Sequence, residues 1–197
     1  MKSQQTTRRL VTSAMLIAVA SVLALVSEFI PFLQLRFGGT LTLASMLPII
    51  LISYMYGLKW GLGSAAVYAV IQIFMGFMAL WMAICVVLLD YFLAYTSLGL
   101  GGIFARKKGG CLRLVLGGVV AQVICYAFHV LSGFLFYGAW ADWFFTESAA
   151  KDLAISGWIM EHLSGRGLAL LYSLIYNALY MLPEIVLTAA VAALIYR

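Results

Sequence analysis

The sequence predicts an all-α integral membrane protein with six transmembrane helices and both termini cytoplasmic. Three observations predict this. Of the 197 residues, 65% are hydrophobic and only 10% are charged, where a soluble domain carries roughly 45–50% apolar and about 25% charged residues. The mean hydropathy is +1.06. The apolar residues also fall into runs near the roughly 20 residues that cross a hydrocarbon core, with polar or Gly/Pro-bearing breaks between them.

The first helix is expected at about 10–28. A basic start, "MKSQQTTRR", precedes it, but the run from Leu10 to Val26 is too long for a signal-peptide core and no cleavage site follows, so the helix is expected to be retained. The stretch "EFIPFLQLRFGGT" (28–40) ends it, with Pro31 and two glycines as punctuation. The second and third helices are expected at about 41–57 and 60–78, joined by "YGLKWG". The fourth, at about 81–104, is followed by the polar loop "ARKKGGCLR". The fifth and sixth are expected at about 112–137 and 167–196. Between these last two lies the longest connection, about 138–166, with three tryptophans and four acids; its middle fits a short amphipathic helix on the membrane surface. The whole chain, 1–197, reads as a single membrane domain.

Six crossings place both termini on one side, and Lys/Arg counts choose the side. Only Arg36, Lys151 and Arg166 lie opposite the termini; the other nine of the 12 basic residues lie with them. That asymmetry makes the terminal side cytoplasmic and the protein a multi-pass component of the cell membrane. It also accounts for the net charge of +5, so the basicity needs no nucleic-acid partner. Three cysteines, Cys85, Cys111 and Cys125, are too few for a disulfide framework, and no C-x-x-C or H-E-x-x-H spacing suggests a metal.

Polar residues inside the apolar runs are the informative ones, because a charge in hydrocarbon is expensive. Asp90, in "MAICVVLLDYFLAYTSLGLGG", lies in the outer half of the fourth helix. It reads as a ligand-binding carboxylate, or as one member of a structural pair; His129 on the fifth helix is the only ionisable base at its depth. His129 reads either as a ligand contact or as a histidine satisfied by a backbone carbonyl. Gly133 follows it by one turn on the same face and leaves space beside the imidazole. On the sixth helix Tyr172, Tyr176 and Tyr180 form a stripe that suits either a pocket wall or packing. Asn177 is more telling, since a buried amide must both donate and accept. Glu184, after Pro183, shares the face of Asn177 and Tyr180 and reads equally as a ligand contact or a structural acid. Aromatics around the outer loop, including Trp140, Trp143 and Trp158, read mostly as an interfacial belt.

Together these residues describe a pocket open to the outside. There is no phosphate-binding G-x-x-x-x-G-K-[ST] loop and no nucleophile–base set, so the chain reads as no enzyme. Any energy for transport must come from a partner or an ion gradient. In the first helix Ala14 and Ala18 are four apart, as are Ala20 and Ala24, a spacing that lets another helix approach closely or serves internal packing.

Five segments in order, "SAMLIAVASVL", "TLASMLPIILISYMYGLKWG", "DYFLAY", "FHVLSGFLFYGAWA" and "LLYSLIYNALYMLPEIVLT", resemble the thiamine-specific substrate-binding subunits (S components) of energy-coupling factor vitamin transporters. The resemblance covers essentially the whole chain. It implies a subunit that binds thiamine and no cofactor. Its partners would be a transmembrane coupling protein and two cytoplasmic ATPases, which would use the ATP. Ala14 and Ala18 match the pattern that docks on the coupling protein. The family's acid–tyrosine pair falls on Asp90 and Tyr91, although the family has glutamate there. Its histidine and glycine fall on His129 and Gly133, its helix-six tyrosine and asparagine on Tyr172 and Asn177, and its helix-three aromatic on Tyr68. Where the family has a stacking tryptophan this chain has Tyr137, with Trp140 available from the following loop. These two departures leave room for a thiamine precursor or analogue as the ligand. An ion-coupled small-molecule transporter, with Asp90, His129 and Glu184 as a proton relay, is the reading from a different class.

Overall fold

The computed structural model describes residues 2–35, 39–75, 84–105, 109–152 and 154–196. The expected end of the third span and start of the fourth, within 76–83, lie outside the described residues, as do Arg36, Arg106, Lys107, Lys108 and Arg197.

The long described helices are each tied to an apolar run. α1 spans Lys2–Glu28, starting before its apolar stretch because "KSQQTTRR" contains no Gly or Pro to stop it. α3 is Leu58–Met75, α4 Ile84–Gly102, α5 Cys111–Phe136 and α8 Gly165–Ile195, which runs on through Pro183. These five are long and apolar enough to cross a membrane. α2 is not. It covers only Met46–Tyr56, 11 residues, or about 16 Å at 1.5 Å per residue. The expected second span of 41–57 is thus too long.

The reason lies in residues 39–45. Leu43 and Ala44 have φ of 50° and 61°, a left-handed conformation in which L-residues do not propagate a helix. Such irregular backbone is tolerated at membrane depth only where protein satisfies it. Here the Glu184 carboxylate of α8 accepts the Thr42 N–H at 2.9 Å, and Glu184 is 1% exposed. Upstream, Leu35 N–H donates to Gly39 O and Leu41 N–H to Leu33 O, and Gln34 pairs with Thr40 in an isolated antiparallel bridge.

α2 is buried at the centre, packed against α1, α3, the end of α4 and α5. Close approach explains several glycines there. A Cβ on Gly117 of α5 would sit 2.1 Å from the Gly101 carbonyl oxygen of α4. One on Gly102 would sit 2.3 Å from the Ser53 carbonyl oxygen of α2. The same crossing is tied by Ser53, whose hydroxyl accepts the Gly102 N–H at 2.9 Å and donates to Gly99 O.

One end of the bundle gathers the chain termini. The Arg9 guanidinium lies 5.7 Å from the Tyr56 ring centroid, Gly110 N–H donates to the Tyr54 hydroxyl at 2.8 Å, and Tyr54 meets Tyr196 edge-on at 6.2 Å. On α1, Ala20 and Ala24 are buried, whereas Ala14 and Ala18 lie on the exposed side.

At the other end, the connection expected to hold one surface helix holds two, α6 (Ala141–Thr146) and α7 (Ser156–His162). Ala141, Phe144, Phe145 and Ile159 are buried against Leu168 and Tyr172 of α8, so this segment packs onto the bundle as well as covering it.

Candidate functional site

Away from the end that gathers the termini, the helices separate around a cavity of about 420 Å³, within the roughly 300–1,000 Å³ typical of small-molecule sites. α1 contributes Ala24 and Glu28, the irregular segment Gly39, Thr40 and Thr42, α2 Met46, and α3 Gln72. α4 contributes Asp90, Tyr91 and Tyr95. α5 and its end contribute His129, Gly133 and Tyr137, and α8 contributes Tyr172, Tyr176, Asn177 and Tyr180.

Asp90 is positioned by a departure from regular helix. Val87–Leu93 is a π-helical segment, in which each backbone hydrogen bond encloses one more residue; such insertions are frequent at functional sites. The wider turn brings Asp90, Tyr91 and Tyr95 to the cavity together. Asp90 Oδ1 lies 2.6 Å from His129 Nδ1, with the two side chains 25% and 7% exposed. The other imidazole nitrogen, Nε2, lies 3.5 Å from Cys125 Sγ. The ring is held at both nitrogens, and the pair is a fixed dipole in the cavity wall.

Asn177 is held as firmly. Its amide nitrogen donates to Ser173 O at 2.8 Å, with Ser173 Oγ at 3.2 Å and His129 O at 3.4 Å. Its oxygen accepts the Tyr180 hydroxyl at 2.6 Å. Around these groups runs a ladder of rings, mostly edge to face: Tyr68–Tyr95 at 5.7 Å, Tyr95–His129 at 5.9 Å, His129–Tyr180 at 6.0 Å and Tyr176–Tyr180 at 6.3 Å. Tyr176 also accepts the Gly39 N–H at 3.2 Å, which fastens the irregular segment to the wall. Aromatic faces, a carboxylate–imidazole pair and a fixed amide suit a flat, cationic, amine-bearing ligand.

Of the residues singled out from sequence, Asp90, Tyr91, His129, Gly133, Tyr137, Tyr172 and Asn177 line this one cavity. Tyr68 and Glu184 do not. Tyr68 is fully buried behind Tyr95, with its hydroxyl 3.4 Å from Ser45 Oγ, and Glu184 is turned to the Thr42 backbone. Trp140 is not among the lining residues and is 45% exposed. Gly133 lines the cavity together with His129, and its missing side chain also lets α8 close on α5, since a Cβ there would collide with Ser173 Oγ.

Sequence reasoning passed over Glu28, Tyr95 and the backbone of 39–42. Tyr95 is four residues from Tyr91, a spacing that could have flagged a shared face. Glu28 ends its apolar run, where an acid is cheap and draws no attention. Nothing in residues 39–45 advertises their irregular backbone. Among the described residues no three His, Cys, Asp or Glu side chains converge as a metal site.

Comparison with known proteins agrees with this construction. The family model described as Thiamine transporter protein (Thia_YuaJ) matches residues 10–143. The thiamine transporter ThiT of Bacillus subtilis (strain 168) is 31% identical over 198 aligned residues, covering 95% of this chain and 90% of the relative. A solved structure of ThiT from Listeria monocytogenes superposes with a TM-score of 0.62 at 16% identity, covering 93% of each chain, and shares the fold. With its long apolar helices, this chain is a multi-pass membrane protein and a transporter component rather than an enzyme. It belongs to the Thia_YuaJ family of thiamine transporter proteins.

Proposed function

We propose that this chain is the thiamine-capturing S component of an energy-coupling factor transporter, binding the vitamin from outside and delivering it through ATP-driven partners. The observation that carries this reading is the composition of the cavity: Asp90 paired to His129, the fixed Asn177 amide and a surrounding set of tyrosines, in a chain of this family. Thiamine joins an aminopyrimidine to a thiazolium. The aminopyrimidine offers donors and acceptors for Asp90, His129 and Asn177, and the thiazolium is a delocalised cation suited to the faces of Tyr91, Tyr137, Tyr172 and Tyr176.

In this reading α2 and the irregular residues 39–45 together make the sixth crossing. The meeting of Arg9, Tyr56, Gly110 and Tyr196 at one end supports termini on a common side, and the Lys/Arg bias makes that side cytoplasmic. The cavity then faces outward. The exposed Ala14 and Ala18 on α1 leave a shallow strip for a coupling-protein helix, and two ATPases bound to that protein hydrolyse ATP.

The test is a thiamine titration of the purified, detergent-solubilised protein, read by its intrinsic tryptophan fluorescence. Saturable binding in the nanomolar to low micromolar range is expected. A protein that is helical and monodisperse yet binds no thiamine would overturn the reading.

A further inference from the structure

Among the described residues two carboxylates line the cavity, and they are not equivalent. Asp90 is engaged by the His129 imidazole at 2.6 Å, so much of its field is spent inside the wall. Glu28, at the last residue of α1, faces the same cavity. Among the described residues its carboxylate forms no ion pair, and no Lys or Arg lines the cavity. The end of α1 is held where it is by Gln34, whose side-chain amide donates to the Glu28 carbonyl oxygen, while Gln34 itself pairs with Thr40 of the lining segment. Tyr91 lines the same cavity as both carboxylates.

An organic cation entering this cavity therefore meets one carboxylate that already has a partner and one that does not. We propose that Glu28 supplies the unspent counter-charge for the ligand's cationic ring and so selects cationic over isosteric neutral ligands. The Asp90–His129 pair, with its fixed hydrogen-bonding geometry, then reads the uncharged, amine-bearing part. This inference rests on the proposed thiamine function and assigns a residue within that site.

The experiment compares two ligands: thiamine, and an uncharged analogue in which a thiophene replaces the thiazolium. Each is titrated into wild type, Glu28→Gln and Glu28→Lys at constant ionic strength. For Glu28→Gln, thiamine affinity is expected to fall about three- to fivefold, the upper range of a partly screened charge pair, while the analogue's affinity changes by less than about twofold. Glu28→Lys should widen the gap further, and retained analogue binding shows that each variant is folded. An unchanged ratio of the two affinities, whether both fall or neither does, overturns the role of Glu28 and leaves the thiamine function standing. If wild type binds neither ligand, the function and this inference fall together.

Discussion

At the end of the bundle that holds Arg9, Gly110 and Tyr196, helices approach until backbone meets backbone, with Gly117 on Gly101 and Gly102 on Ser53. At the other end, α1, α4, α5 and α8 stand apart around about 420 Å³ and fill their facing surfaces with tyrosines, two acids, a histidine and an amide. The same helices build both ends, so the difference is one of side chains. Glycine removes the spacer at the packed end, which fixes the helix axes. Aromatic residues, each braced by the next ring, hold the open end apart. The packed end is the fulcrum that makes the cavity a defined shape.

The most damaging way to break this contrast is to put a side chain where the packed end has none. Gly117→Leu forces a branched group against the Gly101 carbonyl, and a backbone atom cannot move aside. A loss of about 3 kcal/mol or more is expected, the upper part of the overpacking range. Thermal unfolding in detergent should show the variant aggregating or melting far below wild type. A normal melting profile would mean that the glycine contacts are not what sets the helix spacing.

Next in size is Glu184, which lies between the two ends and ties α8 to the irregular backbone at Thr42. Glu184→Ala removes the acceptor and leaves the part-buried Thr42 N–H without its partner, costing about 1–3 kcal/mol. Glu184→Gln retains an acceptor oxygen and should recover most of that loss. Equal melting temperatures for the Ala and Gln variants would show that the Thr42 contact contributes nothing. If instead the Gln variant keeps wild-type stability but loses ligand affinity, Glu184 acts on the ligand despite lying outside the cavity wall.

Asp90→Asn tests the open end alone. It preserves volume, leaves the packed end untouched and removes the charge that pairs with His129. Thiamine affinity should fall at least about tenfold, or about 1.4 kcal/mol, with the helical content unchanged. Unaltered affinity would remove Asp90 from the binding site.

How far these features could be read from sequence follows from where charge is costly. Asp90, His129 and Asn177 stand inside apolar runs, where a polar group must have a partner, and all three meet in the cavity. Glu28 lies at the end of its run and carries no such signal. The helical class and four of the long helices beyond α1 were legible because hydrophobic run length measures membrane thickness. The same reasoning overextended α2: residues 41–45 contain no Gly or Pro to interrupt the run, but Leu43 and Ala44 take positive φ, a conformation that neither residue type announces. The π-helical turn at 87–93 is equally silent, since it changes hydrogen-bond register without any characteristic residue. Gly133 was noticed for its position beside His129, and it lines the cavity, but its second use, admitting Ser173 of α8, is visible only once the helices are packed.

The smallest expected effect concerns which aromatic ring covers the ligand. Tyr137 lines the cavity, whereas Trp140, three residues on, lies outside it and is 45% exposed. A ring facing a cation contributes about 0.5–1 kcal/mol where water has access, so Tyr137→Leu should weaken thiamine binding by about two- to fivefold. Trp140→Leu should change affinity by less than that, while reducing the fluorescence signal; a probe independent of tryptophan, such as calorimetry, is needed to compare the two. The opposite result, with Trp140→Leu costing more than Tyr137→Leu, would mean that the outer loop folds over the ligand and that the tryptophan takes the place of the tyrosine. In that case the contrast between the two ends sharpens: the packed end keeps its geometry with or without ligand, and the open end completes its wall only when thiamine is present.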